Sequence, residues 1–264
     1  MRKYEAVMRV YMKTQFAWRA DAVSTMIAAA SRIIFAALLW GAIYKGGEQI
    51  AGFTYQGMIT YYVISSFLTR IDLSGTVSRE ISSGIRRGTF SKYITMPVDI
   101  ERYFLAMEGG LAGFHVLFMM AAIALTAALT GIRFQLGAGV WMAAAAVCLV
   151  ILGLLFMARL NIWLGILTMR FQEIGTFLII KDNLVAAATG AIIPLVLLPG
   201  WALAGLRLTP FYGGVYLPAM LLMGRCGDEV LTGIFVLLFW NFLMKRLLWR
   251  TYRKYRSEYD GVGI

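Results

Sequence analysis

The sequence predicts an all-α membrane protein, a single domain over residues 1–264 with six transmembrane helices. Three observations carry that prediction. Hydrophobic residues make up 60% of the chain and charged residues 15%, against roughly 45–50% apolar residues in soluble domains. The apolar residues gather in runs near the length that crosses about 30 Å of hydrocarbon. The cations stand at the edges of those runs instead of forming a face of their own, so the formal charge of +11 speaks for membrane orientation and not for nucleic acid.

The expected spans are residues 23–44, 55–73, 104–129, 140–169, 176–198 and 230–248. The fourth run is too long for one upright crossing and holds Arg159, which predicts tilt or an overshoot past the bilayer. Orientation follows from the flanks, since cytoplasmic segments carry the excess of lysine and arginine. Arg2, Lys3, Arg9, Lys13 and Arg19 precede the first span. Arg70, Arg79, Arg86, Arg87, Lys92 and Arg102 lie between the second and third, and Lys245, Arg246, Arg250, Arg253, Lys254 and Arg256 fill the tail. The opposite connections hold only Lys45, Arg133, Arg207 and Arg225. Both termini are therefore expected in the cytoplasm, which requires an even number of crossings. No short apolar core with a cleavage site opens the chain, so no removable signal peptide is expected and the first span directs insertion.

Residues 1–20 read as an amphipathic helix. At helical spacing Tyr4, Val7, Met8, Tyr11 and Trp18 share one side and Arg2, Glu5, Arg9 and Lys13 the other. Such a helix suits the inner membrane interface, with its apolar side in lipid and its cations on anionic headgroups. Packing of the same side on protein is the alternative.

The segment over residues 76–99 places R-E-I-S-S-G-I-R-R-G-T-F between two apolar runs. Val77, Ile81, Gly84, Ile85 and Gly88 fall on one face of a short helix, and Arg79, Ser82 and Arg86 on another. Glycines at 84 and 88 weaken a helix, so they predict a close approach of backbone or a turn. Pro97 pushes Met96 towards an extended conformation, and Asp99 is placed to cap the third span.

Charges inside the spans need partners. Arg32 lies near the middle of the first, at a cost of about 2.5–3.5 kcal/mol on insertion scales. It either lines a wet cavity that meets an anionic substrate or headgroup, pairs with Glu108, or forms a contact across a dimer. Glu108 and His115 would face the same way two turns apart, which leaves open a proton relay or ordinary packing. Lys181 and Asp182 mark the inner end of the fifth span or pair within the bundle. Towards the opposite side, four of the five prolines, Pro194, Pro199, Pro210 and Pro218, crowd a stretch with Trp201, Phe211, Tyr212 and Tyr216. Proline removes a backbone donor and aromatics favour the interface. Residues 199–228 are thus expected to break into short helices dipping into the outer leaflet.

Several stretches together resemble a known family. They are F-T-Y-Q-G-M-I-T-Y-Y-V at residues 53–63, E-I-S-S-G-I-R-R-G-T-F at 80–90, M-P-V at 96–98, G-A-I-I-P-L-V-L-L-P at 190–199, T-P-F at 209–211 and L-P at 217–218. In this order they resemble the permease subunits of type-2 ABC exporters, most of all the daunorubicin-type and uncharacterised subgroup. The resemblance implies a coupling helix at residues 78–88 that docks on an ATP-hydrolysing subunit. Ile81 and Ile85 would face the partner, and Arg79, Arg86 and Arg87 would make charged contacts. It also implies re-entrant outer helices, a second permease, identical or sister, and two copies of the ATPase subunit, in a prokaryotic plasma membrane.

The chain has no G-x-x-x-x-G-K-[ST] loop to hold ATP phosphates, no H-E-x-x-H pair and one histidine. ATP and Mg are therefore expected only on the partner ATPase, with no cofactor or metal here and no enzyme activity of its own. Cys148 and Cys226 form neither a disulfide framework nor a metal spacing. A proton-coupled secondary transporter using Arg32, Glu108 and His115, and a membrane scaffold or enzyme without transport, are the competing readings.

Overall fold

A computed structural model describes residues 2–17, 19–44, 49–190, 194–257 and 259. Trp18, Lys45 and residues 191–193 of the expected outer motif lie outside the described residues. Among the described residues the chain is helical, apart from a short antiparallel pairing of Ile50 with Phe53. The main helices are α1 (Arg2–Ala17), α2 (Arg19–Ile43), α3 (Tyr55–Ile71), α4 (Ser74–Arg86), α5 (Ser91–Thr95), α6 (Ile100–Thr130), α7 (Val140–Ile166), α8 (Thr168–Phe171) and α9 (Gly175–Ala188). They are followed by α10 (Gly200–Leu206), a wide π turn over Tyr212–Tyr216, α11 (Leu217–Leu222) and α12 (Val230–Arg256).

Four stretches are long and apolar enough to cross a membrane: Met26–Ile43, Ile100–Thr130, Val140–Phe171 and Gly227–Arg256. The second and fifth expected spans are shorter. α3 has 17 residues and α9 has 14, or about 26 and 21 Å at 1.5 Å per residue. The fifth was expected over 176–198, but its helix ends at Ala188. Gly190 follows in the left-handed region at φ 80°, and Pro194 has no N–H to continue a ladder. The last helix runs two turns past its expected end, because its amphipathic tail packs its apolar side inward at Leu248.

α7 is the axis of the bundle. It packs on α12, α4, α11 and the π turn, and it joins two buried clusters. One, towards the proline-rich segment, contains Met58, Tyr61, Leu149, Tyr212, Leu217 and Leu237. The other, towards α4, contains Val77, Ile81, Ile85, Phe90, Phe104 and Ile162. Tyr11 of α1 and Tyr252 of α12 pack on this second cluster. The basic flanks of both termini and of the 76–99 segment therefore meet at one end, the basic end.

Close backbone approaches allow this packing. A methyl group at Gly165 would sit 2.9 Å from Ile81 Cβ, and one at Gly153 would sit 2.7 Å from Gly214 Cα. At Gly110 of α6 it would run into the Met8 carbonyl, which shows how closely α1 lies on α6. Tyr4, Val7 and Tyr11 of the apolar side of α1 are thus half-buried against protein, while Met8 of the same side stays exposed. Tyr4 Oη accepts from the Asp99 N–H at 3.1 Å, and the Tyr11 and Tyr103 hydroxyls lie 3.4 Å apart.

The 76–99 segment follows its sequence signals closely. Gly88 turns the chain at φ 71°, and the Phe90 N–H reaches back to the Gly84 carbonyl at 3.0 Å. Met96 is extended before Pro97, and Asp99 caps α6 by accepting from the Arg102 N–H at 2.8 Å.

Substitutions at two glycines should move stability in opposite directions. Gly165→Ala should lower the thermal midpoint of the detergent-purified chain, because overpacking of roughly 1–3 kcal/mol exceeds the gain in helix propensity. Gly113→Ala, with nothing within 4 Å of the new methyl, should raise the midpoint by the propensity term of about 0.5–1 kcal/mol.

Candidate functional site

The junction between α3 and α4 organises the basic end. Asp72 accepts from the Ser74 N–H at 3.0 Å and from the Ser74 hydroxyl. Asn161 of α7 donates its amide to Ser74 Oγ at 2.7 Å. Its Oδ1 accepts from Lys181 Nζ of α9 at 3.1 Å, and Lys181 also pairs with Asp182 at 2.6 Å. One chain of polar contacts therefore ties α4, α7 and α9 together. Glu108 belongs to this junction as well. Its Oε1 accepts from the Leu73 N–H at 2.8 Å, which satisfies one of the free donors at the start of α4.

A cavity of about 320 Å³ opens beside the junction, lined by Thr69, Asp72, Arg79, Met157, Lys181 and Val185 among others. Thr69, Asp72, Met157 and Val185 also border a narrower apolar pocket that reaches Pro210, Phe211 and Gly214. The two adjoin in a groove between α3, α7 and α9, charged at the basic end and apolar at the proline-rich end. α9 is its loosest wall, since none of its side chains is buried.

The proline-rich segment breaks into the short helices expected of it. Pro194 precedes a turn of 3-10 helix, Pro199 precedes α10, and Pro218 sits in the first turn of α11. The segment is anchored by polar contacts to Glu229, from Arg207 and from the Tyr212 hydroxyl, each at 2.6 Å. The Phe211 ring packs on Phe156 at 5.9 Å, and Trp240 Nε1 donates to the Leu208 carbonyl at 2.9 Å.

The expected docking face of α4 is corrected by the structure. Ile81 and Ile85 are completely buried inside this chain, against α7 and the segment around Phe90, so neither meets a partner. Ser82, expected beside the arginines, is buried as well. What α4 exposes is Arg79, Arg86 and Arg87. Arg86 pairs with Glu173 at 3.0 Å, Arg87 Nε lies 3.3 Å from the Ser83 carbonyl, and Arg79 Nη2 lies 3.3 Å from Thr76 Oγ1. Nearby, burial pushes the Tyr93 phenol upward, with help from Glu80, so it stays protonated and donates to Glu80 at 3.2 Å.

Arg32, Glu108 and His115 do not come together as a triad. Glu108 is committed to α4, whereas Arg32 and His115 line a separate cavity with Arg70. Among the described residues Arg32 has no carboxylate partner.

A second polar cluster was not foreseen. Arg159 of α7 donates from Nε to Glu101 at 2.8 Å and from Nη1 to Asn241 Oδ1 at 2.8 Å, and Asn241 in turn donates to the Leu152 and Leu237 carbonyls. It clamps α6, α7 and α12. The signals in the sequence are Arg159 and Asn241, polar residues within the fourth and sixth apolar runs. No group of metal ligands occurs among the described residues.

A sequence model of the ABC-2 family transporter protein matches residues 30–259. No curated protein matches. The match spans most of the chain, and the chain belongs to the ABC-2 transporter family, a component of membrane transport and not itself a catalytic domain.

The clamp can be tested by substitution. Arg159→Met should cost on the order of 1–3 kcal/mol by leaving the half-buried Glu101 carboxylate and the Asn241 amide oxygen without their donor, and adding Glu101→Leu should return part of it. Thermal unfolding of the single and double variants measures both effects.

Proposed function

We propose that this ABC-2 family member is the membrane-spanning permease subunit of an ATP-driven exporter, and that it moves an amphiphilic substrate out of the cytoplasm. The observation that carries the reading is the family match over residues 30–259. In this reading α3 and α9 complete six crossings with the four long apolar helices. The basic end is cytoplasmic, in keeping with its lysines and arginines. The complex holds two such permeases, identical or sister, and two ATPase subunits that bind ATP and Mg, in a prokaryotic plasma membrane. Residues 199–228 form the outer re-entrant segment.

The junction at α4 gives the reading a mechanism. Arg79, Arg86 and Arg87 are the groups that α4 offers to a partner, and Gly84 and Gly88 shape its end. A push on α4 reaches α7 through Ile81 and Gly165, and reaches α9 through Ser74, Asn161 and Lys181. Movement of Lys181 away from Asn161 opens the charged mouth of the route between α3, α7 and α9. Pro210 and Phe211 stand at the other end of that route. A charged mouth with apolar walls beyond suits an amphiphile. ATP binding must favour one arrangement of these contacts over the other, because a ligand shifts an equilibrium only by its differential affinity.

A proton-coupled carrier finds less support, since Glu108 is held on the Leu73 N–H and His115 borders a different cavity.

Gentle purification of the tagged chain from its native membrane should retain an ATP-hydrolysing subunit in stoichiometric amount, identified by mass. Arg79→Glu with Arg87→Glu should strip that subunit away by about tenfold or more while the chain's own yield and thermal midpoint stay unchanged, as expected for charges at the rim of an interface. Lys181→Met should keep the ATPase subunit bound but change the coupling between the two, seen as altered ATP hydrolysis by the reconstituted complex. Absence of any such subunit from an intact complex would overturn the proposal.

A further inference from the structure

Beside the proposed route, α2, α3 and α6 enclose a second cavity. Its part nearest the basic end, about 230 Å³, is lined by Arg32, Arg70 and His115 together with Ser24 and Leu73. That is room for roughly eight waters at about 30 Å³ each. Ala29, Arg32 and Met119 also border a narrow apolar groove, whose other walls include Ile33, Val63, Phe67 and Ile123. The numbering fixes the direction of the groove. Along α2 it advances from 24 to 33 and along α6 from 115 to 123, while along antiparallel α3 it retreats from 73 to 62. Cationic side chains therefore gather at the basic end, and the apolar groove leads away from it towards the middle of the bundle.

We infer that this cavity binds an anionic phospholipid, with its phosphate between Arg32 and Arg70 and one acyl chain along Val63, Phe67 and Ile123. Arginine holds phosphate through a planar fork of donors, and neither arginine pairs with a carboxylate among the described residues. A buried or half-buried cation at membrane depth needs a counter-charge, and here the phosphate supplies it. The apolar groove selects a lipid over free phosphate. α2, which borders it, exposes Ile27, Ile34, Phe35 and Leu38 on its other sides, a surface suited to acyl chains beside the groove. With the basic end in the cytoplasm, the head-to-tail direction matches a lipid of the inner leaflet. The site lies apart from the route between α3, α7 and α9, and it does not depend on that route carrying cargo.

The experiment uses the full chain in phosphatidylcholine nanodiscs doped with phosphatidylglycerol that carries a diazirine midway along one tail. Irradiation and peptide mapping should place the label on Val63, Phe67 or Ile123. A phosphatidylcholine probe with the same tail has the same phosphate but adds a choline cation, and repulsion of that cation by Arg32 and Arg70 should make it label these positions about tenfold less. Arg32→Gln with Arg70→Gln should lower phosphatidylglycerol labelling to that level, Arg32→Lys with Arg70→Lys should restore part of it, and Arg250→Gln should leave it unchanged. Equal labelling by the two headgroups overturns the proposal. So does label confined to other helices, or a signal abolished by millimolar inorganic phosphate, which would mark a site for the free anion. If the glutamine variant fails to assemble, the headgroup comparison on the unaltered chain decides the matter.

Discussion

The fold depends on how closely α7 lets its neighbours approach. Lipid tails are as apolar as leucine, so helices in a membrane gain little from hiding apolar surface and must hold together by close packing and polar contacts. α7 supplies both. Gly165 admits Ile81 of α4 and Gly153 admits the backbone of Gly214 in the π turn. Between and around these contacts Asn161 and Arg159 project polar groups to both sides. One helix thus ties the basic end to the proline-rich segment at the other.

Several polar side chains within the bundle are committed to a helix end, a carbonyl or an opposite charge, because an unsatisfied polar group in hydrocarbon costs several kcal/mol. Glu108 serves the start of α4, Asn241 serves two carbonyls, and Arg159 serves Glu101 and Asn241. Lys181 differs in kind, because its partners bridge to α9, a helix with no buried side chain. Few buried contacts mean a low free energy for local opening. Within the chain α9 is therefore held chiefly by the polar bridge from Lys181 to Asn161.

Much of this is legible in the sequence, and the rest is not for definite reasons. The long apolar runs, the cap at Asp99, the extended residue before Pro97 and the break-up of the proline-rich segment rest on local backbone chemistry, which a single chain displays openly. The burial of Ile81 and Ile85 is hidden because an amphipathic pattern tells which side is apolar and not what covers it. The same ambiguity hides the packing of part of the apolar side of α1 on α6. The polar clusters escape because Asp72, Asn161 and Lys181 are far apart in sequence, and only the fold brings them within hydrogen-bonding distance. Arg32 stands out as a charge within an apolar run, but its neighbour Arg70 looks like an ordinary flanking charge until α2 and α3 are seen side by side.

The seat of α1 on Gly110 has a consequence for biosynthesis. α1 leaves the ribosome before the helix it rests on, which is made roughly a hundred residues later, on the order of ten seconds at about 5–20 residues per second. Throughout that interval its tyrosines and valines have no protein to cover them. An amphipathic helix with cations on its other side can wait at the surface of the membrane. The pattern that reads as an interfacial anchor is thus also a holding position, occupied by the nascent chain until α6 arrives to claim it.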